Sequence, residues 1–359
     1  MKVDVLNSPY QITIEPGIIS SAAAMVQSLT PTPTTRICIV TDENIKPLHL
    51  GQLEMSFLLE GIEAITAVIP AGEQHKNLAT ISTIYDKFLA AKIERTTPII
   101  ALGGGVVGDM TGFVAATILR GVPFVQVPTT LLSMVDASVG GKTGIDHAVG
   151  KNLIGAFHQP ISVLIDPEVL KTLPERELRS GLAECIKHEI IRDADGFARL
   201  EESVAQMLKL SMPHLTQLIA HNVSIKAKVV MADPFERGER AHLNFGHTFG
   251  HAIESVSKFS YSHGESIALG MVAASRAAMK LGMLDEPSVT RIIKLIAAAG
   301  LPISGMTLDI REVFAAMHFD KKVKAGKIRF VLPDRIGHVV IRDDVPSDVV
   351  RGALESLRG

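Results

Sequence analysis

Short runs of aliphatic and β-branched residues alternate with amphipathic stretches along the first half of the chain. The runs are RICIVTD from Arg36, AITAVIP from Ala64, PIIALGGG from Pro98, PFVQVPTT from Pro123 and SVLIDP from Ser162. The segments between them, such as NLATISTIYDKFLAAKI, repeat apolar residues at helical spacing. This alternation predicts a parallel sheet with helices on both faces.

Helical periodicity replaces the alternation after about Asp166. Helices are predicted over ERELRSGLAECIKHEII, MPHLTQLIAHNVSIKAKVV, LNFGHTFGHAIESV and ESIALGMVAASRAAMKLG, and strands only over KIRFVLP and GHVVIRD. We therefore predict an α/β nucleotide-binding domain with a Rossmann-like sheet over residues 1–172. A mainly α-helical domain that binds metal and substrate is predicted over residues 173–359, with the boundary between Pro167 and Pro174.

Composition and charge narrow the classes of partner. The 359 residues are 47% hydrophobic and carry a formal net charge of −2, so a nucleic-acid partner is not expected. Two cysteines, Cys38 and Cys185, are too few for a disulfide framework and suit a reducing cytoplasm. The first residues lack the apolar core of a signal peptide. The most apolar stretch contains Arg276 and Lys280, which indicates a buried helix rather than a membrane span.

A glycine-rich loop follows the run PIIAL. Gly103, Gly105 and Gly108 have the spacing G-x-G-x-x-G and precede a helical segment, an arrangement in which backbone N–H groups receive a pyrophosphate. The alternative is a tight turn without a ligand. The loop follows a later strand than in a standard Rossmann dehydrogenase, which makes that class a poor fit. Asp42, after an earlier strand, is suited equally to ribose hydroxyls and to capping a helix.

Histidines with a carboxylate form the second candidate site. His247 and His251 are four residues apart on one predicted helix, His263 follows, and Glu184 precedes them. Two imidazoles and a carboxylate with an open position are the ligand set of a catalytic zinc site. Spacing alone leaves open whether His251 or His263 accompanies His247.

Cationic and polar side chains form the third feature. Asp136, Lys142, Lys151 and Asn152 lie in a glycine-rich segment typical of an anion pocket. Further members of this set are Lys187, Lys226, Arg240, Asn244, Lys321 and Lys322. Any one lysine is more typical of a solvated surface. Arg240 and Asn244 precede His247 by seven and three residues, so we predict that they share its helical face.

Long motifs carry a family resemblance over nearly the whole chain. They are GEQHK at Gly72, GGGVVGD at Gly103, RGVPFVQVPTTLLSMVDASVGGKTGI at Arg120, GKNLIGAFHQP at Gly150, GLAECIKH at Gly181, RAHLNFGHTFGHAIE at Arg240, HGESIALGM at His263 and DKKV at Asp320. The chain resembles the 3-dehydroquinate synthases of the sugar-phosphate cyclase superfamily. The resemblance implies their two-domain fold, with the active site between the domains, and a homodimer.

The resemblance also implies a role for individual residues. NAD contacts fall on Asp42, Asn44, Glu73, Lys76, Gly104, Gly105, Val106, Asp109, Thr129, Thr130, Lys151 and Thr172. The ligands of Zn²⁺, or of Co²⁺, are Glu184, His247 and His263, which selects His263 over His251. The anionic groups of the substrate would be bound by Arg120 (from across the dimer), Lys142, Asn152, Lys226, Arg240, Asn244, Lys321 and Lys322. Catalytic roles fall to Asp136, Lys142, Lys187, Glu236 and His251.

The implied substrate is a phosphorylated keto acid, 3-deoxy-D-arabino-heptulosonate 7-phosphate. The reaction releases phosphate and forms 3-dehydroquinate in the shikimate pathway, which leads to the aromatic amino acids. The implied reaction proceeds by transient oxidation by NAD, phosphate elimination, re-reduction and an intramolecular aldol step. The enzyme class is a phosphate-eliminating carbon–oxygen lyase.

The sequence departs from the family pattern at a few positions. Asp146 stands where Asn is usual, and Ala148-Val149, His188-Glu189 and the DPFE segment from Asp233 also differ, although Glu236 is kept. None of these changes removes an implied metal ligand or anion-binding lysine.

Three other functions remain open on the sequence. One is another cyclase of the aminoshikimate, valiolone or scyllo-inosose type. The second is a metal-dependent alcohol or glycerol dehydrogenase, which would accumulate NADH. The third is a non-catalytic protein that binds nucleotide or metal.

Overall fold

The computed structural model describes residues 1–5, 8–30, 33–236, 238–258, 260–318 and 328–358. The chain separates into two compact units. The first unit is Met1–Pro174 with Leu215–Pro234, and the second is Glu175–His214 with Phe235–Gly359.

The first unit is built on a parallel sheet. Its strands are β1 (Lys2–Val5), β2 (Ser8–Ile14), β3 (Arg36–Asp42), β4 (Glu63–Ile69), β5 (Ile99–Gly103), β6 (Phe124–Pro128), β7 (Lys142–His147), β8 (Gly150–Phe157) and β9 (Ser162–Ile165). Within the described residues, a seven-stranded sheet has the order β1-β2-β9-β6-β5-β3-β4, and only the β1–β2 pair is antiparallel. The predicted parallel sheet, with all five predicted strands, is confirmed.

Helices of the first unit cover the sheet. They are α1 (Ala22–Leu29), α2 (Gly51–Leu59), α3 (Leu78–Ala90) and α4 (Gly105–Thr117). β5 and β6 are buried at every position, which explains their continuous apolar runs. Phe88 of α3 and Met110 of α4 pack in one core with Val40 and Phe124 of the sheet. The chain emerges from β5 directly into α4, where the glycine loop lies.

A hairpin occupies the glycine-rich segment that carries Lys142 and Asn152. β7 and β8 pair antiparallel, with an irregularity between Ile145 and His147, and the hairpin packs on α4. The apolar pattern did not predict it, because glycines interrupt the alternation on which strand prediction depends. β1 and β2 were also not predicted.

Helices dominate the second unit. They are α5 (Glu175–Arg192), α6 (Ala194–Leu208), α8 (His247–Val256), α9 (His263–Lys280), α10 (Glu286–Ala298), α11 (Ile310–Met317) and α12 (Ser347–Glu355), with a hairpin of β10 (Phe330–Arg335) and β11 (His338–Arg342). α7 (Met212–Ala232) lies mostly within the residues that group with the first unit. α9 packs on α5, α8, α10 and α12. No helix of the described ranges is long and apolar enough to cross a bilayer.

One predicted helix begins later than its pattern suggested. Residues Glu239–Asn244 form a separate 3₁₀ segment, and Gly246 adopts a left-handed φ of 76° before α8 begins at His247. The prediction that Arg240 and Asn244 share the helical face of His247 is therefore wrong. Because the chain turns at Gly246, the residues before it do not continue the helix that contains His247. Their spacing from His247 therefore does not predict which face of that helix they share.

Candidate functional site

Three side chains of the second unit form a compact group of metal-ligand type. Glu184 of α5, His247 of α8 and His263 of α9 each offer one ligand atom, and these atoms lie within 4.8 Å of one another. Nε2 of His247 is 3.6 Å and Nε2 of His263 is 3.4 Å from Oε1 of Glu184. Two imidazole nitrogens and a carboxylate oxygen suit Zn²⁺ or Co²⁺ and leave a coordination position for a substrate oxygen.

Glycines allow the three helices to approach closely enough for this grouping. A Cβ at Gly264 would overlap the backbone of Ser180, whose Oγ instead accepts a 3.0 Å hydrogen bond from the Gly264 N–H. A Cβ at Gly270 would overlap the carbonyl oxygen of Gly246. Ser180 lies one turn before Glu184 on α5, and Gly264 follows His263 directly. The contact between Gly264 and Ser180 therefore places His263 beside the Glu184 carboxylate.

The electrostatics of the group favour a cation. Glu184 is fully buried and pairs with Lys187, which is 1% exposed. Burial lowers the pKa of His263, but Glu184 and Glu254 outweigh that effect and raise it from 6.5 to about 9. The two carboxylates therefore stabilise positive charge at the position of His263.

His251 lies beside the same group. Its ring centroid is 5.1 Å from that of His247 and 6.2 Å from that of His263. His251, Glu254 and His263 also bring ligand-type atoms within 4.8 Å of one another. Sequence reasoning missed Glu254, although its place seven residues after His247, two helical turns on, was an available signal.

Two further predicted residues of the second unit contact each other. The Asn244 amide donates a 2.7 Å hydrogen bond to Oε1 of Glu236. Arg240 is 2% exposed, which is unusual for a guanidinium, because burying a charge is costly unless the group is paired. Lys321 and Lys322 lie outside the described residues.

The glycine loop of the first unit joins a strand to a helix. Gly104 precedes α4, and Gly105 and Val106 form its first turn. A Cβ at Gly108 would stand 2.7 Å from Oε1 of Gln126, so glycine lets α4 lie close to the β6 side chain without moving it. The N-terminus of α4 presents backbone donors of the kind that bind phosphates.

A network of charged side chains adjoins this helix. The Lys76 ammonium donates to Asp109 at 2.7 Å and to Oδ1 of Asn152 at 2.6 Å. Burial lowers the pKa of Lys76, but Asp109 and Glu73 outweigh it and the pKa is raised. Lys151 lies 3.5 Å from Glu73. These residues, all assigned to cofactor or substrate by the resemblance, are thus brought together within the first unit.

Other positions assigned to NAD lie at strand ends. Oδ1 of Asp42 accepts hydrogen bonds of 2.9 Å from the N–H groups of Asn44 and Ile45, in the turn before the helical segment Lys46–Leu50, whose N-cap is Ile45. Thr129 follows β6, and its hydroxyl is buried without a hydrogen-bond partner among the described residues. Thr130 is held by Ser133 at 2.9 Å. The Thr129 hydroxyl is an acceptor or donor that a ligand would satisfy.

His49 was not singled out from the sequence but contacts one of the assigned residues. Its Nε2 lies 2.8 Å from the Thr172 hydroxyl. Burial lowers the pKa of His49, which favours the neutral imidazole. An isolated histidine in the run KPLHL gave no sequence signal.

The remaining predicted residues of the first unit fall into two environments. Lys226 of α7 is 7% exposed and lies 2.5 Å from Oδ1 of Asp136. Lys142 and Arg120 are exposed, as residues that meet a solvated anion would be.

Comparisons with known proteins agree with the resemblance. Family models of the 3-dehydroquinate synthase N-terminal and C-terminal regions match residues 66–180 and 181–323. A 3-dehydroquinate synthase of a Synechococcus species is 47% identical, over 97% of this chain and 96% of the relative. One from Nostoc punctiforme is 46% identical, over 99% of both chains.

Solved structures share the fold. A 2-epi-5-epi-valiolone synthase from Streptomyces hygroscopicus with NAD⁺ and Zn²⁺ bound superposes with a TM-score of 0.89 at 29% identity, covering 97% of this chain and 96% of that one. A 2-deoxy-scyllo-inosose synthase complexed with carbaglucose-6-phosphate, NAD⁺ and Co²⁺ has a TM-score of 0.91 at 22% identity, over 99% of both chains.

Proposed function

Because the chain belongs to the 3-dehydroquinate synthase family, we propose that it converts 3-deoxy-D-arabino-heptulosonate 7-phosphate to 3-dehydroquinate and phosphate. It would act as a phosphate-eliminating lyase of the shikimate pathway. The observation that carries the proposal is the convergence of Glu184, His247 and His263 beside the buried Lys187.

The donor set fits a divalent cation in the second unit. We assign its ligands to Glu184, His247 and His263. These residues would hold a cation whose Lewis acidity would acidify a substrate hydroxyl, and bound NAD would supply a reversible hydride acceptor. Lys187, paired with the Glu184 carboxylate, would orient substrate hydroxyls by donating hydrogen bonds.

Other side chains of the chain bind and neutralise the substrate. The buried Arg240 guanidinium would pair with the substrate carboxylate, for which a planar fork is suited. Glu236 fixes the Asn244 amide, so that amide would meet a phosphate oxygen in one orientation. Lys142, Asn152, Lys226, Arg120, Lys321 and Lys322 complete the proposed anion-binding set. Asp136 would orient hydroxyls, and His251 would accept and return protons.

NAD would be held by the first unit. The backbone donors of Gly104, Gly105 and Val106 at the start of α4 suit its pyrophosphate. The orphan hydroxyl of Thr129 would gain a partner from the cofactor. The rest of the proposed contacts are Asp42, Asn44, Glu73, Lys76, Asp109, Thr130, Lys151 and Thr172.

Assembly and location are also proposals. We propose a homodimer, in which Arg120 serves the partner's substrate, and a cytoplasmic protein. The burial of Cys38 and Cys185 is consistent with thiols kept reduced. We propose residues 1–172 and 173–359 as the functional domains for nucleotide and for metal and substrate.

Product identification tests the function. The protein would be mixed with NAD, Zn²⁺ and the heptulosonate phosphate, and carbon NMR would follow the products while phosphate release is measured. We expect 3-dehydroquinate and phosphate in equal amounts without net NADH. Accumulated NADH would indicate a dehydrogenase instead, and a different carbocycle would indicate another cyclase.

A pair of variants on one helix tests the metal. We expect Glu184→Gln to lower kcat at least 100-fold and to lower the affinity for the metal. Glu177→Gln, at an exposed position of α5, should change neither kcat nor metal affinity. Full phosphate release by chelator-treated protein would defeat the metal assignment.

A further inference from the structure

His263 presents its two ring nitrogens to two different carboxylates. Nε2 lies 3.4 Å from Oε1 of Glu184, and Nδ1 lies 3.5 Å from Oε2 of Glu254. Neutral imidazole has one N–H donor and one lone pair. Each nitrogen thus faces an acceptor, and a cation bound at Nε2 would take its lone pair and leave the proton on Nδ1, opposite Glu254.

The two ring nitrogens of His247 also face two different oxygens. Its Nδ1 lies 3.0 Å from the carbonyl oxygen of Phe245, and its Nε2 faces Oε1 of Glu184. In both imidazoles an oxygen therefore lies opposite Nδ1, while Nε2 faces Oε1 of Glu184. Outer oxygen acceptors of this kind fix the tautomer and the ring orientation of metal-binding histidines.

The position of Glu254 makes it a fixed acceptor rather than a mobile surface group. It lies on α8 two turns after His247 and is 7% exposed. A buried carboxylate is costly unless it is paired with a donor or a cation. α8 thus supplies one histidine of the group and the carboxylate that faces another.

We propose that Glu254 is the positioning residue of His263: its carboxylate accepts a hydrogen bond from Nδ1–H and so holds the Nε2 lone pair towards the cation site. The role depends on the metal assignment made under the proposed function. Glu254 acts through His263 and does not itself contact the metal.

The competing role for Glu254 is that of a ligand. Its carboxylate, His251 and His263 also have ligand-type atoms within 4.8 Å of one another, so a cation held by those three is the alternative. The two roles differ in coordination. Substitution of a positioning carboxylate lowers metal affinity but leaves the number of metal ligands unchanged, whereas substitution of a ligand lowers both.

The test uses Glu254→Ala and the isosteric Glu254→Gln, which keeps an oxygen acceptor. Glu201→Gln is the control, because it disrupts an ion pair of the same unit, with Arg291 at 2.6 Å. Metal affinity would be measured by competition with a chromophoric chelator, using Zn²⁺ and Co²⁺. We expect Glu254→Ala to weaken binding about 10- to 100-fold, Glu254→Gln to weaken it less, and Glu201→Gln to leave it unchanged.

Spectroscopy of the Co²⁺-loaded proteins separates positioning from a general loss of structure. Proton NMR should show exchangeable, paramagnetically shifted Nδ1–H signals from His247 and His263 in the native chain. In Glu254→Ala only the His263 signal should be lost, through faster exchange with water. X-ray absorption should count the same number of ligands in both proteins.

Three results would overturn the proposal. They are affinity in Glu254→Ala within twofold of the native chain, a retained His263 N–H signal, or a ligand lost on substitution. Failure of the native chain and Glu201→Gln to bind any divalent cation would instead remove the metal assignment itself, and this inference with it.

Discussion

The ammonium of Lys226 lies 2.5 Å from Oδ1 of Asp136, 90 residues earlier in the chain. The lysine is nearly buried, so its charge is stabilised chiefly by hydrogen bonds rather than by water. α7 and the turn after β6 are joined through this pair within the first unit. We therefore expect the pair to have a structural role in addition to any role in substrate binding.

A double-mutant cycle on this pair should reveal coupling. Asp136→Asn and Lys226→Gln each remove one of the two charges of the ion pair, so we expect each to lower the free energy of unfolding by about 2 kcal/mol. The double variant should lose less than the sum of the two. Urea unfolding checks this, and additive losses would show that the ion pair contributes no stability.

Removing the negative charge at Asp146 should strengthen substrate binding. Asp146 accepts a 2.8 Å hydrogen bond from the Asn152 N–H, and Asn152 has a left-handed φ of 52°. Asp146→Asn keeps the acceptor but removes a charge that would repel phosphate. We expect KM to fall about twofold, or about 0.5 kcal/mol, with kcat unchanged.

Two comparisons check the Asp146 prediction. The KM difference should shrink as salt is added, because salt screens the repulsion. Asp146→Ala should raise KM, since Asn152 then loses the acceptor that stabilises its backbone turn. An unchanged KM in Asp146→Asn would show that the charge lies too far from the bound phosphate to act.

Adding a side chain at Gly264, where α9 contacts α5, should lower both the stability of the fold and the affinity for the metal. A Cβ at Gly264 would overlap the backbone of Ser180, and backbone cannot move aside as a flexible side chain does. We expect Gly264→Ala to cost about 1–3 kcal/mol of unfolding free energy and to weaken Zn²⁺ binding at least tenfold. Thermal unfolding and chelator competition measure the two effects.

Gly51→Ala is the matched control for this substitution. Gly51 begins α2, and a Cβ there would meet nothing within 4 Å. Alanine favours the helix, so the variant should be as stable as the native chain or more stable. If Gly264→Ala were equally harmless, helix proximity would not be what forms the metal group.

Stability should fall at alkaline pH because of Cys38. Burial raises the pKa of its thiol from 9.0 to about 12. Since the folded pKa lies above the unfolded one, the stabilisation is complete below pH 9 and is lost as pH rises towards 12. The loss should be about 1.4 kcal/mol per pH unit in that window.

Cys38→Ala isolates this effect. Unfolding free energies of the native chain and the variant would be compared from pH 8 to pH 11, and the slopes matter more than the absolute values. The variant should show the shallower decline. Parallel slopes would mean that another group, and not the Cys38 thiol, controls alkaline stability.

The sequence determined the elements whose pattern is local. β3, β5 and β6 were predicted because strands buried on both faces consist almost wholly of apolar residues. The long motifs identified the family for the same reason, since they are read directly from adjacent residues. β7 and β8 escaped prediction because glycine has no apolar side chain to mark a face.

The tertiary structure decided which side chains meet. Spacing left open whether His251 or His263 accompanies His247, and the two imidazoles that face Glu184 Oε1 are those of His247 and His263, on different helices. Their approach depends on contacts such as Gly264 against Ser180, 84 residues apart in the chain. A linear pattern fixes the face of a helix but not its distance from another helix, because that distance is set by the packing of residues remote in sequence.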